Sequence, residues 1–216
     1  MSCRIPVTLA LLGVVHVADA QIIQSVRRST PLAWTSLSLG WLQTQSMYDA
    51  SSNAGWNFAS APQWRATLEV PSGTGASFGV SGSMARVPLI YSGNCSLLTN
   101  CDAHANISQI FGLVHLGGTV GFHQVIDIGA GATLFSNFRE DGTGTRLGTG
   151  KTTSDFTFAI GYGFGYGFSP RTSMMVVQDY GLIIHRRQSG STNNTAQQAV
   201  TRLGIRVGLG ERRGRY

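Results

Sequence analysis

The chain has 216 residues, with 16 Lys or Arg against 10 Asp or Glu and a net charge of +6. Only 12% of it is charged, about half the share usual in a soluble domain, while the apolar fraction is an ordinary 42% and glycine reaches 28 residues. That balance excludes a disordered chain and a coiled coil, and beyond residue 17 no apolar run approaches the roughly 18 residues of a membrane-spanning helix.

Residues 1–20 place Arg4 before an apolar run, Ile5 to Val17, and close on Ala18-Asp19-Ala20. This is the charged, apolar and small-residue order of a secretory signal, with cleavage expected before Gln21. The run is too short for an anchor and contains Pro6 and His16. Cys3 leaves with it, and Cys95 and Cys101 remain as an even pair in an exported chain, where a disulfide closing the loop NCSLLTNC is expected. Residues 21–31 are read as a lead-in, 32–210 as one β-barrel and 211–216 as a basic tail.

Eight strands are predicted in chain order. Trp34 to Gln43 carries Leu37, Leu39 and Trp41 on one face. Trp64, Ala66, Leu68 and Val70 alternate with Arg65, Thr67 and Glu69; Ala76, Phe78, Val80 and Met84 alternate with Ser and Gly. Ile107 to Leu116 is apolar on both faces, so its sides stay open. Ile126 to Leu134 alternates around Asp127. Phe156, Phe158, Ile160, Tyr162, Phe164, Tyr166 and Phe168 occupy every second position, with Thr157, Ala159 and four glycines between them. Period two puts all seven on one face of a strand, whereas a helix would smear them around its axis. Met174 to Ile184 places Asp179 opposite its large residues, and Ala199 to Leu209 does the same with Arg202 and Arg206. Pro31, Pro62, Pro71, Pro88 and Pro170 are read as lying at or outside strand ends.

The connections alternate in length. Those at 43–61, 87–105, 136–153 and 187–197 are long and polar, whereas those at 71–75, 117–123 and 169–172 are short. Sequential antiparallel strands put all the long ones at one end. The large-residue faces carry almost no charge, and the opposite faces carry Arg65, Glu69, Asp127, Asp179, Arg202 and Arg206. Eight strands enclose a space only wide enough for side chains. Seven large residues per strand would overfill it, so the large faces are read as lipid-facing and the glycine-lined faces as a polar, side-chain-filled interior. Trp34, Trp41 and Trp64 are candidate interfacial aromatics.

A cleaved signal, eight alternating strands, short turns at one end and long loops at the other resemble the small outer-membrane β-barrels of Gram-negative bacteria, the OmpA/OmpX-like proteins. The resemblance covers residues 32–210. It implies an all-β, eight-stranded antiparallel up-and-down transmembrane β-barrel in the cell outer membrane. Members end on a strand with a terminal aromatic. Here Tyr216 lies off the parity of the last strand and follows the tail Glu211-Arg-Arg-Gly-Arg.

The interior charges are read as a paired plug rather than a passage, because buried charges need partners and water-filled channels need about 16 strands. The expected role is non-enzymatic, structural or surface-interacting, with outer-membrane lipids as partners and loops 87–105 and 136–153 as contact surfaces. No cofactor and no metal are expected. Two alternatives are an exported lipocalin-like barrel with the large faces inside, and a lipid-modifying enzyme. The latter needs a nucleophile beside a base. His185 is the only candidate there, with Arg186, Arg187 and Ser189 beside it, and it is read instead as a rim cation near lipid phosphates. Gly161 to Gly167 lacks the Lys-Ser/Thr of a phosphate loop. Asn94, Asn106 and Asn193 match the glycosylation pattern by chance, and the dispersed arginines of an exported chain argue against nucleic acid.

Overall fold

Alternation of large and small side chains becomes strand throughout the computed structural model, which describes residues 31–49, 52–72, 75–96, 99–148, 151–185 and 195–211. The expected signal peptide, most of the lead-in, the tail beyond Glu211, and Arg186, Arg187, Ser189 and Asn193 lie outside the described residues. The strands are β1 (Ala33–Thr44), β2 (Met47–Asp49), β3 (Ala54–Phe58), β4 (Ala61–Pro71), β5 (Ala76–Ser92), β6 (Asn100–Gly117), β7 (Gly121–Glu140), β8 (Thr153–Ser169), β9 (Thr172–Ile184) and β10 (Thr195–Leu209). No helix occurs among the described residues.

These ten segments fill eight positions of one closed barrel. Consecutive strands pair antiparallel, β1 pairs with β10, and the β5–β6 ladder completes the ring. β1 and β2 run in line with a break at 45–46, and β3 and β4 run in line with a break at 59–60, both latter strands pairing along β5. The eight-stranded up-and-down barrel read from the sequence is therefore the fold, and among the described residues closure pairs both edges of every strand but β2, which pairs with β3 alone.

The loop boundaries differ from the sequence reading. Residues 87–92 and 100–105 are strand, paired from Val87↔Ala105 to Ser92↔Asn100, and β7 continues to Glu140. The connection 43–61 holds β2 and β3. The outward residues of these stretches mix polar side chains such as Asn57, Ser92, Asn100 and Asp102 with Tyr48, Pro88 and Ile90, so no continuous apolar face marks them as strand in one dimension. Pro62 and Pro88 also sit within strands. The Pro88 carbonyl accepts from Ala59 N at 2.8 Å, so its missing N–H points at the β3–β4 break, where the ladder is already interrupted.

Phe156, Phe158, Ile160, Tyr162, Phe164, Tyr166 and Phe168 all point out of the barrel, between 41% and 63% exposed. Leu37, Leu39, Trp41, Trp64, Leu68, Val80, Ile110, Phe122, Val176, Tyr180, Leu203 and Ile205 share that outer face. The lipocalin-like arrangement, which needs these side chains inside, does not fit. The twelve steps from Phe156 to Phe168 rise roughly 30 Å at about 3.4 Å per residue and a 40° tilt, close to the hydrocarbon thickness of a bilayer. Trp34 departs from its expected interfacial place: it is 4% exposed, inside the barrel, with the Arg206 guanidinium 4.3 Å from its ring centroid.

The inward glycines make room. A Cβ on Gly163 would stand 2.0 Å from the Val176 carbonyl oxygen and 2.7 Å from Val177 Cα, so β8 and β9 approach there as only glycine allows. A Cβ on Gly82, on the outer face of β5, would meet nothing nearer than Gln109 O at 4.0 Å. Gly163→Ala is expected to destabilise the barrel by about 1–3 kcal/mol, and Gly82→Ala to change it by no more than about 0.5 kcal/mol. Urea unfolding in phospholipid vesicles, followed by heat-modifiable gel mobility, measures both.

Candidate functional site

The barrel interior is layered, and each layer follows from which inward positions are charged, amide or apolar. Nearest the short turns, Arg206 Nη2 of β10 donates to Glu69 Oε2 of β4 at 2.6 Å and to Ser77 Oγ at 2.8 Å. Thr67 Oγ1 donates to Glu69 Oε1 at 3.0 Å. Above it, Asp179 of β9 accepts from Arg202 Nε at 2.6 Å and from Arg65 Nη1 at 3.1 Å. Arg202 Nη2 also bonds Asp127 of β7, whose other oxygen accepts from His115 Nδ1 at 2.7 Å. The structure thus gathers Arg65, Asp127, Asp179 and Arg202 into one connected group, and holds Glu69 and Arg206 as a second pair. Gly161 makes this possible, since a Cβ there would lie 2.1 Å from Asp179 Oδ1.

The sequence leaves His115 unassigned because Ile107 to Leu116 is apolar on both faces. Its cross-strand partner is Asp127, and that register supplies the pairing that composition could not. The next layer is uncharged: Gln109 Nε2 donates to Gln198 Oε1 at 2.8 Å and to Thr133 Oγ1 at 3.1 Å, and Gln63 Nε2 donates to Gln109 Oε1 at 3.2 Å.

The half of the barrel toward the long connections is apolar, which corrects the expectation of a polar interior throughout. Trp56, Phe58, Phe135, Phe138, Val87, Leu89 and Ile183 form one buried cluster, with Trp56 and Phe138 rings 4.5 Å apart between centroids. It fills the extension of β5 to β7 beyond the outer apolar band. In the sequence these extensions read as loops, which hides their inward alternation. Cys95 and Cys101 are joined by a disulfide that closes the β5–β6 connection and packs against this cluster.

At the mouth, His185 follows β9 directly and is 5% exposed, rather than a cation on the rim. Its Nδ1 donates to Asp155 Oδ2 at 2.6 Å, and Asp49 Oδ1 stands 3.6 Å from Nε2. Ser52 N and Oγ donate to Asp49 Oδ2 at 3.1 Å and 2.5 Å. The hydrogen bond to Asp155, with the charges of Asp155 and Asp49, raises the His185 pKa above its ordinary value and outweighs burial. The imidazolium therefore ties β2 and β8 together across the mouth. Among the described residues no group of three or more His, Cys, Asp or Glu could hold a metal ion.

No family model matches the chain, and no curated protein matches its sequence. Among solved structures, Neisserial surface protein A is similar at 11% identity, over 82% of this chain and 97% of that one, with a TM-score of 0.53. The outer membrane protein OprG of Pseudomonas aeruginosa is similar at 14% identity over 85% of this chain and 99% of that one, TM-score 0.46. Ail, the attachment invasion locus protein of Yersinia pestis, is similar at 16% identity over 81% and 97%, TM-score 0.40.

Two variants test the layers. Asp179→Ala strands Arg202 and Arg65 in the interior and is expected to cost about 3–5 kcal/mol; a urea midpoint in vesicles unchanged from the parent would contradict the pairing. His185 has a raised folded pKa, so its contribution is complete below the unfolded value near 6.5 and disappears as pH rises through the folded value. The parent's unfolding midpoint is expected to drop across that window and that of His185→Gln to stay level. In its fold, the chain is an eight-stranded antiparallel up-and-down β-barrel similar to that of Neisserial surface protein A.

Proposed function

We propose that this chain is a non-enzymatic β-barrel of the cell outer membrane, exported by its signal peptide, of structural or surface-interaction type. The observation that carries this is the sorting of side chains. The outer face presents an apolar band about as tall as a bilayer, while charged and amide side chains are paired inside. Bilayer hydrocarbon satisfies no backbone polar group, and a closed barrel is one of the two folds that need none satisfied. Phe156 to Phe168 and their neighbours are the lipid-facing set. The interior network of Arg65, Glu69, Asp127, Asp179, Arg202 and Arg206 fills the lumen, so it serves as a plug and not a pore.

The lipid-modifying alternative gains nothing from His185. Its Nε2 has no hydrogen-bond partner among the described residues, and Ser52 bonds Asp49 instead. Acyl transfer requires a nucleophile held by that base.

The long connections are the surface-presenting end. They are shorter than the sequence suggested, namely 93–99, 141–152, 185–194 and the β2–β3 hairpin. Gly142 and Gly144 lie in an open turn in left-handed backbone, with nothing within 4 Å of a built Cβ. An epitope inserted between Gly142 and Gly144 is expected to bind antibody on intact cells, and one in the 118–120 turn only after permeabilisation. The purified protein in a planar bilayer is expected to give no steady conductance. The reverse epitope pattern, or release into water without detergent, overturns the reading.

A further inference from the structure

Gln178 is out of place on the outer face. It stands at the centre of β9, six residues from Thr172 and six from Ile184, and its register partners are Tyr162 on β8 and Thr201 on β10. Met174, Val176, Tyr180, Leu182 and Ile184 share its face, and all of them point outward. At about 3.4 Å per residue and a 40° tilt, six residues place the amide roughly 16 Å from either end of the strand, at the middle of the lipid-facing band. The other outward glutamines of the described strands, Gln43, Gln124 and Gln197, lie within three residues of a strand end, where water and headgroups reach them.

The amide is only half used inside the chain. Its Oε1 accepts from Thr201 Oγ1 at 2.5 Å, and its Nε2 donates to the Asp179 carbonyl at 3.3 Å. A side-chain amide has two N–H donors and two acceptor positions, so one of each is left over among the described residues. Gln178 is half-buried and Thr201 exposed, so both face the surroundings of the barrel. Hydrocarbon neither donates nor accepts, and a polar group left unmade there costs free energy. The partner is therefore a protein that carries a donor and an acceptor at the same depth. A second copy of this chain does so by construction. Both copies insert in one orientation, so a two-fold axis along the membrane normal sets each residue level with its own copy. There each Gln178 donates its remaining N–H to the other's Oε1, which gives two reciprocal hydrogen bonds.

We propose that the β9–β10 face is a homodimer interface within the membrane, centred on Gln178 against the partner's Gln178. Val176 and Leu203, register partners beside the amide, and the outward Tyr180 pack around the axis. Side-chain hydrogen bonds between membrane segments are individually weak, so the amide pair sets register and orientation while apolar contact supplies the rest. The interface goes beyond the surface-interaction reading and rests on its membrane placement.

Oxidative cross-linking of single-cysteine variants of the full chain, folded in phosphatidylcholine vesicles, tests this, since Cys95 and Cys101 are already joined to each other. Leu203→Cys lies on the proposed face, and Ile110→Cys, on β6 at the opposite side of the ring, is the control. A covalent dimer is expected from Leu203→Cys and only background from Ile110→Cys. Adding Gln178→Leu to Leu203→Cys is expected to slow dimer formation at least about fivefold. That change places an apolar side chain in hydrocarbon, so the variant is expected to keep its heat-modifiable mobility. Equal cross-linking at the two positions, or an unchanged rate with Gln178→Leu, overturns the interface. If the protein is folded in the vesicles and Leu203→Cys gives no dimer, the interface alone falls. If the protein washes off the vesicles without detergent, the membrane placement itself falls.

Discussion

The constraint on which the rest depends is the narrowness of an eight-stranded barrel. Its interior holds side chains and little else. Any charge placed there loses water and must find a partner within reach. Asp179 answers that requirement for two arginines at once, and Arg202 passes it on to Asp127, whose second oxygen accepts a hydrogen bond from His115 Nδ1. Because the group joins β4, β6, β7, β9 and β10 across the lumen, it cannot form before the barrel closes. It rewards the one register that brings Gly161 opposite Asp179. A slip of a single residue would turn every one of these side chains to the outer face.

The same narrowness explains the glycine content. On β8 the large side chains face outward, and from position 161 to 167 every inward position is glycine. This lets the Asp179 carboxylate sit over Gly161, the His123 ring over Gly165, and the β9 backbone against Gly163. The low overall charge has a related origin, since the outer face offers no water along the apolar band and the inner face accommodates only charges it can pair.

Beyond the band the barrel continues with different chemistry. The extended β5, β6 and β7 hold an aromatic and aliphatic plug in place of ion pairs. Above it His185 bridges Asp155 and Asp49, a buried ionic link set on an apolar floor. The mouth is therefore built rather than loose, held by carboxylate pairing of the same kind that orders the charged layers below.

Much of this was legible in one dimension. Period-two alternation located seven of the barrel positions and a run apolar on both faces the eighth, and the outward parity of Phe156 to Phe168 followed from residue size against the room inside. The charged inward residues could be named because each sits opposite an apolar face. Sequence could not say which of them meet, since that depends on strand register, and it could not orient Ile107 to Leu116, whose two faces are equally apolar. It mistook the strand extensions for loops, because beyond the lipid-height band the outer face mixes Ser92, Asn100 and Asp102 with Tyr48, Pro88 and Ile90 and shows no continuous apolar side. It missed the mouth for the same reason. Asp49, Asp155 and His185 are over a hundred residues apart at their extremes, and only closure of the barrel brings them together. The sequence by itself determined the fold and its two faces, because side-chain size and polarity alternate locally with the pleat. The tertiary structure alone decided the ion-pair partners, the apolar plug and the mouth, because those depend on register and on contacts across a closed lumen.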